Sequence, residues 1–496
     1  MKQRIHQIEL FGKFPLEVQE ELLQRLIVQG RHTEFGRKYE FSTLVNSTQF
    51  RERVPLQDYE SHKEYILRLQ KGEQNLLWPT DVRWFAKSSG TTNDRSKFIP
   101  VTNEALEECH FKGGKDLLCI YFHNNPDSKL FDGKLLTLGG SHHVNAFNNE
   151  SLYGDLSAIL IQNLPFWIQL FRTPDRSIAL MDEWETKLQM MAEQTMNENV
   201  TNIAGVPSWM LVLLNRVLEI SGKKNLLEVW PNLELFVHGA VSFKPYQEQF
   251  RIRIPKSDMY YLETYNASEG FFGIQDQKNS DELLLMLDYG IYYEFIPQHD
   301  WAKENPRTLS LSEVKTGENY AMVITTNAGL WRYKIGDTIT FTSLSPYRIK
   351  VTGRTAHFIN AFGEELIIDN AEKALADACN ITDAIIRDYT AAPVYFNENS
   401  SGAHEWLIEF EKKPTDIGYF AYLLDGALKK YNSDYEAKRY HDKVLNEPVI
   451  RIMPDNTFYN WMKSKEKLGG QHKVPRLANH RKFVEEIIAM EKSISS

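Results

Sequence analysis

The stretch KSSGTTNDRSKFIP, Lys87 to Pro100, groups Ser88, Ser89, Gly90, Thr91 and Thr92 ahead of Lys97. A loop rich in glycine and hydroxyl residues can turn several N–H groups and hydroxyls toward one anion. The run VRWFAKSS before it reads as a strand. EALEECHF after it reads as a helix capped by Thr102 or Asn103. A helix N-terminus behind such a loop adds partial positive charge, and Lys97 adds a full one. Phosphate is the anion this arrangement suits. A solvated turn has the same composition, and a P-loop is excluded, because no second glycine leads directly into Lys-Ser/Thr.

Further groups able to do chemistry follow along the chain. YNASEG, Tyr265 to Gly270, ends a strand with an aromatic face, a hydroxyl at Ser268 and a carboxylate at Glu269. WRYKIGDT carries Asp337, GRTAHFINAFGEEL carries Arg354, and GGQHKVPR carries Lys473. Each has an ordinary structural explanation when taken singly. Glu269 suits the start of a helix, Asp337 a turn after Gly336, and Tyr265 a strand core. Lys473 has solvated counterparts in Lys463, Lys465 and Lys467. His142 and His143 are adjacent, so on a strand they face opposite ways and do not share a metal.

Taken together, the order and spacing of these five motifs resemble the adenylate-forming superfamily of acyl-CoA synthetases, luciferases and peptide-synthetase adenylation domains. Within it, the sequence is most similar to the auxin-responsive acyl acid amido synthetase family, over nearly the whole chain. The resemblance implies an α/β fold with a large N-terminal adenylate-forming domain of mixed sheets and helices, followed by a smaller mobile α+β domain. It implies an ATP-dependent ligase that activates a carboxylic acid as an acyl-adenylate and transfers the acyl group to an amino acid or similar amine. A thioester-forming acyl-CoA ligase, or a non-catalytic nucleotide-binding homologue, carries comparable motifs.

The family's site residues then map onto this sequence. Ser88, Ser89, Gly90, Thr91 and Thr92 match the phosphate loop, with Lys97 at the lysine that follows it. Tyr265 matches the aromatic against adenine, with Asn266 and Ala267 beside it in the nucleotide site. Ser268 matches the hydroxyl near the α-phosphate, and Glu269 the carboxylate associated with Mg²⁺. Asp337 matches the ribose-binding aspartate and Arg354 the hinge arginine. Lys473 matches the lysine that the mobile domain brings to the reacting carboxylate. Two positions depart from the family pattern. Asn93 and Asp94 follow SGTT where small residues are usual, and Asp94 is expected to face solvent or pair with Arg95. Thr355 stands where the hinge usually has Asp or Lys.

These residue types fit the two steps. Two anions, a carboxylate and the α-phosphate, must approach each other, which calls for positioning and positive charge. Mg²⁺ needs oxygen ligands, often one carboxylate plus phosphates. The attacking amine must be neutral, so a base can assist it.

The elements that must hold these groups are legible in outline. The chain has 496 residues, 42% hydrophobic and 25% charged, which is globular and long enough for more than one domain. Its net charge of -9 and pI near 5.9 argue against a nucleic-acid surface. Cys109, Cys119 and Cys379 form no metal or C-x-x-C spacing. With no apolar leader and no long apolar run, a cytoplasmic protein without a membrane partner is expected. PLEVQEELLQRLIVQG reads as a helix with Leu16, Leu22, Leu23 and Leu26 on one side, ending at Gly30. Residues 1–352 are expected to form the ATP- and acyl-acid-binding domain. Residues 353–496 are expected to form a mobile domain of order β-α-β-β-α-β, ferredoxin-like, opened by RIKVTGRT.

Overall fold

The computed structural model describes the chain except residues 89–96, 139–144, 149–150, 182, 240–242, 244–246, 302, 356–357, 365, 396–401, 441–443, 466–473, 475 and 496.

The N-terminal helices set the first wall. Pro15–Gly30 is a helix with Pro15 in its first turn, where the missing N–H costs nothing. Leu22, Leu23 and Leu26 are buried as the spacing predicts, but Leu16 faces out. Gly30 is required by packing, because a Cβ there would lie 2.5 Å from the Trp331 indole. The preceding helix, Lys2–Lys13, is clamped by Arg4. Its guanidinium donates to Asp116 and to Asp288, and Asp116 also accepts from the Tyr289 hydroxyl at 2.7 Å.

Trp84–Ser88 is the strand that the sequence suggests, but the chain returns as a second strand, Lys97–Val101, before the helix, closing an antiparallel hairpin with Ser88 opposite Lys97. Thr102 caps the helix that follows: its Oγ1 accepts from the Ala105 N–H at 3.0 Å. That helix runs to Asn124, with a wider π turn over Ala105–Phe111.

The centre is an eleven-stranded sheet. One side of it is parallel: Lys134–Thr137, Val200–Ala204, Leu235–Gly239 and Tyr260–Ala267 lie side by side. The other side is antiparallel and includes Asn319–Thr326, Tyr333–Leu344 and Tyr347–Arg354. The change in pairing falls at Gly270–Ile274, which turns back on Tyr260–Ala267. Helices such as Trp184–Thr195 and Pro207–Ser221 cover the parallel part.

The C-terminal part has a three-stranded sheet ordered Ile385–Val394, Ala403–Lys412, Val449–Met453, with helices Ile368–Thr382 and Ile417–Tyr431. This corrects the four-stranded ferredoxin-like order. The strand containing RIKVTG, Tyr347–Arg354, pairs with Tyr333–Leu344 in the large sheet instead. Ala403–Phe410 is buried on both faces. Trp406, Ile408 and Phe410 face one apolar cluster, and Leu407 faces another with Phe458 and Trp461. The glutamates on the covered face have partners. Glu405 accepts from Arg451 and Arg481, and Glu409 from Arg387 and two backbone N–H groups.

Candidate active site

Tyr265 lies near the carboxyl end of its parallel strand, and the turn Ser268–Glu269 follows at once. The turn is tight because Gly270 opens the return strand: a Cβ there would lie 2.5 Å from Ile291. The Tyr265 ring is buried and tilts against Phe272 at 4.8 Å. Its hydroxyl donates to Asp337 Oδ2 at 2.7 Å. Two motifs 72 residues apart therefore meet through one charge-assisted hydrogen bond.

The chain holds Asp337 in place from both sides. Trp331, fully buried, donates from its indole to the Leu77 carbonyl at 2.9 Å. Arg332 has a left-handed backbone, φ 46°, which is costly for a residue with a side chain. Its buried guanidinium overrides that cost by bonding both Glu294 oxygens, Thr308 and the Val54 carbonyl. Gly336 then turns with φ 88°, a conformation glycine alone adopts freely. Beyond it Asp337 pairs in register with Arg354, and Thr355 N–H closes onto the Gly336 carbonyl at 2.8 Å. Asp337 is 9% exposed, so its carboxylate sits at the edge of the core.

The remaining expected residues fall as follows. Asn266 is exposed, and Ala267, Ser268 and Glu269 are half-buried beside Tyr265. Lys97 stands at the mouth of its hairpin, with Nζ 5.8 Å from the Tyr59 ring centre. Tyr59 in turn accepts from the Phe98 N–H at 3.0 Å, which fixes the hairpin to helix Tyr59–Gln70. Tyr59 carries no motif signal in the sequence. The backbones of Ser88 and Arg354 end their strands. Ser89, Gly90, Thr91, Thr92, Asn93, Asp94, Arg95, His142, His143 and Lys473 lie outside the described residues.

Among the described residues no group of three His, Cys, Asp or Glu makes a metal cage. The half-buried carboxylate of Glu269 fits an ion that takes its other ligands from phosphates and water.

Family models match the chain in three blocks: the GH3 family N-terminal domain over residues 4–259, the central domain over 284–354 and the C-terminal domain over 369–482. The chain belongs to the GH3 family. Relatives of this GH3 protein include an indole-3-acetic acid-amido synthetase of Arabidopsis thaliana, 23% identical over 95% of this chain and 90% of its own. A jasmonoyl–L-amino acid synthetase of Nicotiana attenuata is 25% identical over 68% of each chain. The solved GH3.15 acyl acid amido synthetase shares the fold with a TM-score of 0.61 at 17% identity, covering 96% of this chain and 93% of its own. A 2-hydroxyisobutyryl-CoA ligase shares it at TM-score 0.57 and 13% identity, with 96% and 92% covered. This GH3 chain is an acid–amino-acid ligase, the class to which its named relatives belong.

Proposed function

We propose that ATP binds across the Tyr265–Asp337 pair, with Asp337 on the ribose hydroxyls and the Ser268–Glu269 turn at the α-phosphate. The observation that carries this reading is the 2.7 Å bond between Tyr265 and Asp337, which brings two nucleotide motifs to one place. A carboxylate accepts from two hydroxyls at once, as a ribose offers. Glu269 supplies the protein ligand to Mg²⁺, an ion that offsets phosphate charge when bound. Residues 88–92 and Lys97 hold the β- and γ-phosphates. Tyr265, Asn266 and Ala267 border the adenine, and Arg354 is the hinge. The catalytic lysine is Lys473, carried by a mobile domain of residues 353–496.

The acid is a small acyl acid and the acceptor an amino acid or similar amine. Cys109, Cys119 and Cys379 are free thiols, and among the described residues no helix is long and apolar enough to cross a membrane. Both suit a reaction carried out in the cytoplasm.

Carboxylate-dependent exchange of pyrophosphate into ATP tests adenylation directly. Lys473→Ala should slow that exchange by about a hundredfold, the scale of one lost charge-stabilising donor. Amide formation from supplied acyl-adenylate should fall much less. Equal losses in both assays would remove the divided role. Product formation with coenzyme A but with no amine would replace the amide reading by a thioester one.

A further inference from the structure

The large sheet ends at the short strand Arg172–Thr173, which pairs only with Lys134–Thr137 among the described residues. Arg172 stands opposite Leu135, so its side chain leaves the sheet on the face shared by Leu135 and Thr137. Across the next strands, Ala204 and Val237 continue that face in register with Thr137. The alternate residues Leu136, Ile203 and Phe236 enter a core cluster on the other face.

Arg172 is 6% exposed, and its guanidinium has one acceptor: Nε and Nη2 donate to the Thr137 hydroxyl at 3.0 and 2.8 Å. Among the described residues it has no carboxylate partner. The other buried arginines do: Arg332 meets Glu294, and Arg439 meets Asp425. Burial lowers the Arg172 pKa, with no neighbouring acid to raise it. Thr137 Oγ1, used twice as an acceptor, keeps its own proton to donate. That proton and the Arg172 Nη1 group meet no acceptor among the described residues. A buried cation calls for an anion beside it, and a guanidinium with an adjacent hydroxyl donor suits the two oxygens of a carboxylate.

The source of that carboxylate follows from distance. Arg172 lies four strands from the strand that carries Tyr265, ~19 Å at the usual strand spacing. With the reacting group at the Ser268–Glu269 turn, an acceptor amino acid falls short, because its carboxylate is two bonds from its amine. A chain with a carboxylate at each end bridges the gap. Half-buried Leu156, Leu160 and Val237 pack on the cluster that holds Tyr265, and half-buried Ala204 and Thr137 continue from Val237 toward Arg172. We propose that Arg172 and Thr137 bind the second carboxylate of an α,ω-dicarboxylic acid whose first carboxylate is activated. This rests on the ligase reading and names the substrate class of that site. A monoacid of equal length leaves the guanidinium unpaired and is rejected for that reason.

The test uses the full-length protein in pyrophosphate exchange with adipate, suberate, sebacate and dodecanedioate, each beside the monoacid of the same chain length. Wild type should prefer the diacid by tenfold or more in kcat/KM at one length at least. Arg172→Met should reverse that preference through KM for the diacid, leave KM for ATP and for the monoacid unchanged, and melt no lower than wild type. Arg172→Lys should keep part of the preference. Wild-type exchange with monoacids but no preference for any diacid would overturn this inference alone, and needs no variant. Equal loss for both kinds of acid in Arg172→Met would make the residue structural and overturn it too. So would unchanged exchange in Arg172→Met with a raised KM for the amino acid in amide formation, which would assign Arg172 to the acceptor. Absence of exchange with every acid would overturn the ligase reading, and this inference with it.

Discussion

Tyr265→Phe removes one oxygen and little else. The ring and its 4.8 Å contact with Phe272 remain, while the 2.7 Å bond to Asp337 is lost. A hydrogen bond to an ionised group is worth ~1.5–3 kcal/mol net. Both residues are at most 9% exposed, so water replaces the lost hydroxyl poorly. Asp337 has further interactions, which hold part of its orientation and place the loss at the low end. If Asp337 grips the ribose, the variant should bind ATP about tenfold more weakly, which is ~1.4 kcal/mol. The carboxylate must then be oriented by the ligand instead of by the fold. Its preference for ATP over 2′,3′-dideoxy-ATP should shrink by a similar factor, because that preference reads Asp337 alone. Titration calorimetry with both nucleotides measures the two effects, and urea unfolding at matched conditions reports the cost to the fold. A Tyr265→Phe protein that is less stable but keeps both its ATP affinity and its dideoxy discrimination would refute the reasoning, leaving the bond purely structural.

Three further outcomes follow from features away from the nucleotide. Asp116→Ala should lower stability by about 3 kcal/mol in urea unfolding, the low end for breaking a buried ion pair, because Arg4 keeps Asp288. Gly30→Ala should destabilise by ~1–3 kcal/mol despite alanine's better helix propensity, since its methyl would meet Trp331 at 2.5 Å; a stabilised variant would show that the indole yields. His62 and His110 are pushed by burial from 6.5 to about 4, and His238 from 6.5 to about 3. Their folded values lie below the unfolded one, so their contribution is complete above pH ~6.5 and is lost as pH falls from there through the folded values. The urea midpoint should drop steadily between pH 7 and about 5, and a flat profile would mean that the imidazoles are reached by solvent.

What could be read in the sequence was local. The strand Trp84–Ser88 and the helix after Thr102 were legible because a short apolar run and a side-chain cap depend on neighbours within a few positions, whereas the return strand Lys97–Val101 was not. Sheet membership was not legible either. Tyr347–Arg354 looks like the first strand of a small domain, yet its partners are Tyr333–Leu344 and Leu283–Leu285, and pairing is decided by non-local contacts. Nor does a strand show locally that both its faces will be covered, as those of Ala403–Phe410 are once later helices pack on it and its glutamates find arginines. The Tyr265–Asp337 contact emerges only when segments far apart in sequence are packed together.

Asp337 and Arg354 occupy one rung of an antiparallel ladder. Residues opposite each other on such a rung lie ~4.5–5.5 Å apart. On the proposed assignment, the grip on the sugar and the pivot of the small domain are therefore two ends of a single short lever. A twist of the chain beyond Arg354 is transmitted to the carboxylate without passing through any side-chain relay. Linkage makes this traffic two-way. A nucleotide that pulls on Asp337 biases the angle at which the C-terminal part leaves the sheet, and a swing of that part loosens or tightens the nucleotide by the same free energy. Release of AMP and resetting of the domain would then be one event, timed by a strand pair rather than by a gate.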